Sequence, residues 1–226
     1  MPEEAVLGPR GAALLQAWLS PGYPTGAFAY SHGLEQAIAD GDIHDPASLE
    51  TWLTGLLRHG GGHTDALLIA EAWRAPDDDG SIERSRALAS SLERLTETEA
   101  QGRAFAAVTA AAYTGPIGTD AALPYPVALG RAARCAGIPL AALLPLALQA
   151  FATNLISAAV RLVPLGQTDA QRVVHRLLPV IADAAAEAQH ASMEAAAPLD
   201  AHGSACFRGD IAAMRHETLQ TRLFRT

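Results

Sequence analysis

The sequence predicts an all-α fold: a single-domain bundle of about eight to ten helices with a buried central apolar helix. Alanine is abundant and β-branched residues are scattered, so local propensity favours helix along most of the 226 residues. No convincing period-two strand pattern occurs, and breaks rich in Pro and Gly divide the chain into segments of helical length. A chain of this length can bury roughly 70% of its unfolded surface, so we expect one domain over residues 1–226.

Several helix starts can be located from local chemistry. Asp45 is an N-cap residue and Pro46 suits the first turn of the helix that follows. The sequences 96–99 and 168–171 both fit a capping box, and each predicts the start of a long helix. The predicted breaks are residues 21–26, 60–62, 75–80, 115–126, 164–166 and 198–203.

An uncharged segment of 26 residues runs from Cys135 to Val160 and is long enough to cross a bilayer. It contains Pro139, Pro145 and Asn154, so we interpret it as a fully buried core helix and expect no membrane association. The first ten residues lack the charged and apolar regions of a signal peptide, which predicts a cytoplasmic protein.

Composition argues against several classes of function. The formal charge of −8 disfavours nucleic acid as a partner, and all 16 basic residues are Arg. Without Lys, the chain has no P-loop lysine, Schiff base or lysine general base. The two cysteines have no metal or disulfide spacing, and no G-x-S-x-G elbow occurs. These absences predict a protein that is not an enzyme, uses no cofactor and acts by binding other proteins.

His59 and His63 form the one histidine pair with metal-like spacing. An i, i+4 pair can place two imidazoles on one helix face, as in many metal sites. The three glycines between them favour a flexible turn, because glycine holds a helix poorly. We therefore predict no established metal site and keep the pair as a weak candidate.

The segment from Ser20 to Glu35 combines a rigid turn with an aromatic, helical second half. Pro21 and Pro24 fix φ, whereas Gly26 permits positive φ. Gly33 is expected inside a helix, where it is about 1 kcal/mol less favourable than Ala, so something should approach the backbone there. Two explanations for Gly33 remain open: internal helix packing, and a partner surface built around Phe28 and Tyr30.

The final residues, 214–226, are unusual because chain ends are normally polar and frayed. Leu223 and Phe224 lie between Arg222 and Arg225, a combination typical of protein interfaces. Docking onto the protein's own core and binding to a partner are equally open. We expect residues 1–10 and 221–226 to be flexible when unbound.

Together these segments resemble the urease accessory protein F (UreF) family. The sequence from Ser20 to Glu35 is similar to the pattern S-P-x-x-P-x-G-x-F-x-Y-S-x-G-L-E at every specified position. The end of the chain matches H-E-x-x-x-x-R-L-F. One departure is Leu95, which stands where the family usually has Arg.

The resemblance implies an all-helical, usually dimeric protein that assembles with the accessory protein UreD (also called UreH) and the GTPase UreG. That assembly inserts nickel into apo-urease. The two matched motifs would then form the contacts with other proteins. The implied protein-interaction residues are Pro21, Pro24, Gly26, Phe28, Tyr30, Ser31, Gly33, Glu35, His216, Glu217, Arg222, Leu223, Phe224 and Arg225.

Two alternatives remain open at this point. The first is a nickel-binding metallochaperone that acts through His59 and His63, although such a carrier normally has richer His or Cys clusters. The second, and weaker, is a helical hydrolase or oxygenase. A sharper form of the scaffold hypothesis has Arg222 or Arg225 act in trans on the GTPase, as an arginine finger does.

Overall fold

The protein is all-α, as predicted. A computed structural model describes residues 6–113, 123–193 and 205–225, and none of these residues lies in a strand. They form a 3₁₀ helix, Ala27–Ala29, and ten α-helices: α1 Pro9–Trp18, α2 Leu34–Ala39, α3 Pro46–His59, α4 Gly61–Arg74, α5 Gly80–Ala87, α6 Leu92–Ala112, α7 Tyr125–Cys135, α8 Leu140–Leu162, α9 Gln167–Ala191 and α10 Phe207–His216.

Local chemistry places the start of α3 correctly. The Asp45 side chain accepts a hydrogen bond from the Ser48 backbone N–H at 2.8 Å. The Ser48 hydroxyl in turn accepts from the Asp45 backbone N–H at 3.1 Å. This reciprocal arrangement satisfies two backbone groups, and Pro46 has no N–H to satisfy.

The two other predicted capping boxes are not formed, although a long helix is present at each place and begins a few residues earlier than predicted. Helix α6 begins at Leu92 because Ser91 accepts from the Arg94 N–H at 3.1 Å and caps the helix earlier. Thr96 lies inside α6, where its hydroxyl donates to the carbonyl of Leu92. Helix α9 begins directly after Gly166, whose backbone is extended. Gly166 has no side chain, so no side-chain hydrogen bond caps this helix.

The core is built by helix pairs that pack side by side. Helix α4 lies against α7 and α8, while α9 covers both α3 and α8, and α6 packs on α7. One cluster of buried apolar side chains extends from Leu15 to Phe224. Nearly every helix contributes to that cluster, so the two ends of the chain meet a common core.

The uncharged stretch is a core element, but it is neither one helix nor fully buried. Helix α7 ends at Cys135, and a turn through Gly137 precedes α8. Helix α8 is long and apolar enough to cross a membrane, yet only 50% of its apolar window is buried. The buried face contacts α9 and α4. We therefore interpret α8 as a core helix with one exposed face.

Parts of the predicted breaks and ends fall outside the described residues. These are residues 1–5, 114–122, 194–204 and 226. Helix α1 already begins at Pro9, and residues 222–225 contact other parts of the chain. Flexibility of the two chain ends when unbound stays a prediction.

Candidate protein-interaction site

The first half of the N-terminal motif forms an exposed turn. Pro21 and Pro24 are exposed, and Gly26 has the positive φ of 76° that the sequence suggested. The 3₁₀ helix then presents Phe28 to solvent with 61% of its surface exposed, while Tyr30 is buried. The Asn154 side chain on α8 donates to the carbonyl of Ala27 at 3.0 Å, which anchors this turn to the core.

Gly33 is not inside a helix, contrary to the prediction. It is the N-cap residue of α2 and has φ of 74°, a left-handed conformation that favours glycine. A Cβ placed there would lie 2.5 Å from the backbone nitrogen of Ala213. The backbone of α10 is thus what approaches Gly33, and this close contact is internal helix packing.

Glu35 joins the N-terminal motif to the end of the chain. It is 6% exposed, and its carboxylate accepts from the backbone N–H groups of Leu223 at 2.7 Å and Phe224 at 3.0 Å. The same carboxylate lies 3.2 Å from Nε2 of His216. Ser31, also buried, accepts from the Glu35 N–H through its hydroxyl at 3.4 Å.

Glu93 at the start of α6 completes this cluster from the other side. Its carboxylate lies 2.8 Å from Nδ1 of His216 and also pairs with the guanidinium of Arg222. Glu217 accepts from the Leu92 backbone N–H at 2.9 Å and ties the end of α10 to α6. We call Glu35, Glu93, His216 and Arg222 the latch.

The tail, residues 219–225, lies on the protein's own core in this structure. Phe224 is only 5% exposed, and the guanidinium of Arg161 lies 6.0 Å from its ring centroid. The Arg225 backbone N–H donates to the carbonyl of Ala29 at 2.8 Å. Leu223, the neighbouring residue, points outward with 73% of its surface exposed. The tail therefore both docks internally and displays an apolar side chain.

Exposed apolar side chains lie on the tail, on α10 and on the segments that the tail contacts. Phe207, Ile211 and Met214 are exposed on α10 at spacings of four and three residues, which places them on one helix face. Sequence reasoning missed this stripe, although its helical spacing could have revealed it. We define the apolar face as Phe28, Leu92, Phe207, Ile211, Met214 and Leu223, all exposed.

A second group of charged side chains, the charge cluster, includes residues that are close in sequence to those of the latch. Arg94 pairs with Glu97 and lies 3.7 Å from Asp65, and Nε2 of His32 lies 3.0 Å from Glu97. The Gln101 amide donates to Glu97 at 2.7 Å. These side chains line a cavity of about 570 Å³, together with residues of α1, the N-terminal motif and α8.

The electrostatics of this charge cluster favour an ionised Glu97. Burial alone would raise the pKa of Glu97, but the neighbouring Arg94 and His32 outweigh it and lower that pKa to about 2. For Asp65 burial dominates, and its pKa is raised above the ordinary value despite Arg94. Glu97 is therefore the ionised acid that balances the buried guanidinium.

In the segment around Leu95, the neighbouring Arg94 carries the charge that contacts other side chains. Leu95 itself is half-buried, whereas Arg94 is the residue that enters the charge cluster. Gly102, further along α6, is needed for close packing, because a Cβ there would lie 1.9 Å from the carbonyl oxygen of Leu123. Sequence reasoning did not identify the roles of Glu93 and Arg94.

The histidine pair does not share a helix face, so that part of the metal-site hypothesis is wrong. His59 ends α3 and His63 lies in the first turn of α4, with the helix break at Gly60 between them. Across residues 6–113, 123–193 and 205–225, no group of three or more His, Cys, Asp or Glu side chains is placed to hold a metal ion.

Comparison with known proteins identifies the same family as the resemblance of the sequence. A family model described as UreF matches residues 43–178. A urease accessory protein UreF of Cereibacter sphaeroides (strain KD131) is 55% identical over 217 residues, which covers 95% of this chain and 99% of that protein. The UreF of Roseobacter denitrificans is 48% identical over 94% of this chain and 92% of its own. That of Rhodopseudomonas palustris (strain BisA53) is 46% identical, with the same two coverages.

Proposed function

Because the chain belongs to the urease accessory protein UreF family, we propose that it is a non-enzymatic scaffold for urease maturation. In this role it holds UreD (UreH) and the GTPase UreG together for nickel insertion into apo-urease. We also propose that it acts in the cytoplasm as a homodimer. Nucleic acid and membrane are not among its proposed partners.

The apolar face is the observation that carries this proposal. Eleven large hydrophobic side chains are exposed within the described residues, and six of them belong to the apolar face. Concentrated exposed apolar surface is typical of protein interfaces, since it is unfavourable in water. The remaining five are Val6, Tyr113, Leu146, Leu178 and Met193, and of these Leu146 lines the same cavity as Phe28.

Contacts within the chain hold the parts of this face in a fixed relation. The bond from the Arg225 N–H to Ala29 joins the tail to the 3₁₀ helix that carries Phe28. The bond from the Leu92 N–H to Glu217 joins α6 to the end of α10. A surface preorganised in this way loses less conformational entropy when a partner binds.

Arg222 is engaged within the chain, which bears on the arginine-finger hypothesis. Its guanidinium pairs with Glu93, so it would have to leave that carboxylate before it could reach a GTPase. The side chain of Arg225 is exposed, and its backbone N–H alone anchors it to Ala29. Of the two, Arg225 is therefore the better placed to contact a partner without rearrangement.

The experiment replaces one exposed side chain and leaves the backbone contacts intact. Leu223→Ser removes an apolar side chain from the tail but keeps the N–H that donates to Glu35. Leu178→Ser is the matched control, because Leu178 is an exposed leucine on α9 outside the apolar face. Binding to purified UreD (UreH) and UreG is measured by size-exclusion chromatography and titration calorimetry.

We expect Leu223→Ser to weaken assembly by at least about tenfold, as the loss of an interface anchor does, and Leu178→Ser to bind as the parent does. Equal binding by both variants and the parent would remove the tail from the interface. Failure of the parent chain to bind either protein would overturn the scaffold proposal itself.

A further inference from the structure

His216 is enclosed between two carboxylates and has no exposure to solvent. Its Nδ1 lies 2.8 Å from Oε2 of Glu93, and its Nε2 lies 3.2 Å from Oε2 of Glu35. An ionised carboxylate can only accept hydrogen bonds, so each ring nitrogen must supply a proton to make both contacts. A neutral imidazole carries one N–H, whereas the imidazolium carries two.

Both carboxylates have further donors that favour their ionised forms. Glu35 also accepts from the backbone N–H groups of Leu223 and Phe224. Glu93 pairs through its other oxygen with Arg222. Hydrogen bonds and positive charge stabilise the carboxylate over the protonated acid. The proton required by the geometry therefore resides on the ring of His216.

The charge balance of the latch leads to the same protonation state. Glu35 and Glu93 contribute two negative charges, and Arg222 contributes one positive charge. Only the imidazolium brings the sum to zero, whereas a neutral ring leaves one uncompensated charge at a buried site. Other charged groups on the surrounding elements have their own contacts, among them Arg215 with Asp40, Arg208 with Asp42, Glu217 with the Leu92 N–H, Arg94 with Glu97, and Arg161 with the Phe224 ring. The Arg225 side chain is exposed to solvent.

We propose that the tail is held by a proton-dependent latch, in which docking requires His216 to carry both ring protons and deprotonation releases the tail. Glu35 couples the two events, because one carboxylate binds both the ring and the N–H groups of Leu223 and Phe224. A ring without its second proton turns a lone pair toward a carboxylate, which is repulsive. The rest of the docking consists of buried Phe224 and the bond from the Arg225 N–H to Ala29.

The direction of the pH effect follows from which state binds the proton. The docked state holds the imidazolium, whereas in the released state the ring loses its proton in the pH range where histidines titrate in water. One proton therefore separates the two states, and the ratio of docked to released tail falls about tenfold for each pH unit above that range. The tail is docked in mildly acidic solution and released in alkaline solution.

This inference concerns the free chain, although under the proposed function it would also decide when the tail can reach a partner. Its test therefore uses the isolated full-length protein and no partner. A tail that stays docked at every pH would leave the scaffold proposal untouched. A tail whose order depends on pH, in a chain that binds no accessory protein, would support the latch and contradict the scaffold proposal.

The experiment follows tail order by ¹⁵N relaxation of residues 219–225 from about pH 6 to about pH 9, the range that brackets histidine titration. We expect an ordered tail at the acidic end and a mobile tail at the alkaline end. His216→Gln, which cannot become charged, should show the same tail mobility throughout the range. The control is His44→Gln: His44 is an exposed histidine outside the latch, and its variant should behave as the parent does.

A tail equally ordered at both ends of the range in the parent overturns the proposal, as does a pH-dependent tail in His216→Gln. Should His216→Gln fail to fold, the ring ¹⁵N and N–H signals of the parent decide the question. At about neutral pH, where exposed histidines have lost most of their charge, both nitrogens of His216 should still carry protons. A singly protonated ring in the docked state contradicts the latch.

Discussion

The charge cluster around Arg94 and the latch around His216 use the same two stretches of chain. His32 and Glu35 lie three residues apart, and Arg94 directly follows Glu93, yet the members of each pair serve different networks. The charge cluster connects side chains of α4, α6 and the segment before α2, all within the helical body. The latch connects α2 and α6 to α10 and the tail.

This difference teaches that burial of an ion pair does not by itself reveal what the pair stabilises. Breaking the charge cluster leaves a charge uncompensated inside the helical body, so the cost falls on the whole fold. Breaking the latch frees a tail that is exposed apart from half-buried Leu219 and buried Phe224, so the cost falls mainly on tail docking. Global unfolding should report on the first network and local order on the second.

The largest effect is expected for Glu97→Ala. Glu97 is 1% exposed and pairs with Arg94, so its removal leaves a buried guanidinium without its main partner. Loss of one member of a buried pair lowers the free energy of unfolding by about 3–5 kcal/mol. The measurement is urea denaturation followed by circular dichroism. Glu83→Ala, at an exposed site on α5, is the control and should change stability by less than about 0.5 kcal/mol. Similar losses in both variants would refute a structural role for the charge cluster.

The charge cluster and the latch should respond to pH in opposite directions. Acid should weaken the charge cluster, whereas the latch releases the tail in alkaline solution. The pKa of Glu97 is about 2 in the fold against 4.5 ordinarily, so the unfolded chain binds more protons in acid. The stabilisation from Glu97 is complete above 4.5 and is lost as pH falls toward about 2. Asp65, with its raised pKa, acts in the opposite direction. As pH falls through this range, the free energy of unfolding of Glu97→Gln should decrease less steeply than that of the parent, as measured by urea titrations at several pH values. Equal slopes for the variant and the parent would contradict the low pKa assigned to Glu97.

A smaller effect is expected where α10 packs on the N-terminal motif. Gly33→Ala places a Cβ 2.5 Å from the Ala213 nitrogen, whereas Gly41→Ala, at a similar positive φ of 81°, meets no atom within 4 Å. Both variants strain the backbone, so their difference isolates the close approach of α10. We expect Gly33→Ala to be about 1–3 kcal/mol less stable than Gly41→Ala in thermal or urea unfolding, as overpacked sites are. Equal stabilities would show that α10 moves away without loss.

The smallest global effect is expected for Arg222→Ala. Its pair with Glu93 is 40% exposed on the arginine side, and such pairs contribute about 0–1 kcal/mol. Urea denaturation should hardly change, while ¹⁵N relaxation should show a more mobile tail. Arg172→Ala, which breaks an exposed pair with Asp169 on α9, is the control and should leave the tail ordered. A large loss of global stability would mean that the latch supports the helical body as well.

The sequence predicted those features that depend on neighbouring residues. The cap at Asp45 needs only Ser48 three positions later, and the positive φ at Gly26 is local. The start of α6 was misplaced because Ser91 and Thr96 are both competent caps, and only the packing of the whole helix decides between them.

The sequence singled out Glu35, His216 and Arg222, which the structure brings together, but it did not predict their contacts. Glu35 and His216 are 181 positions apart, and nothing local indicates that they meet. The path of the tail decides that Phe224 is buried and Leu223 exposed, although the two are adjacent and equally apolar. The face of α8 that is buried likewise depends on where α9 and α4 pack.

A single residue, Gly60, separates helices α3 and α4, and this joint determines where the chain can be lengthened. A Cβ at Gly60 would lie 3.0 Å from both Cys206 and Leu56, so the joint has no room for extra atoms. Residues inserted there would have to displace α3, α4 or the segment at Cys206, and would disturb the packing of α4 on α7. The segment between α4 and α5 is more exposed, and its packing constraint begins only at Asp78 and Asp79, which accept hydrogen bonds from the buried Arg131. A fluorescent or affinity tag placed inside the chain therefore belongs after Arg74, on a loop distant in sequence from the tail.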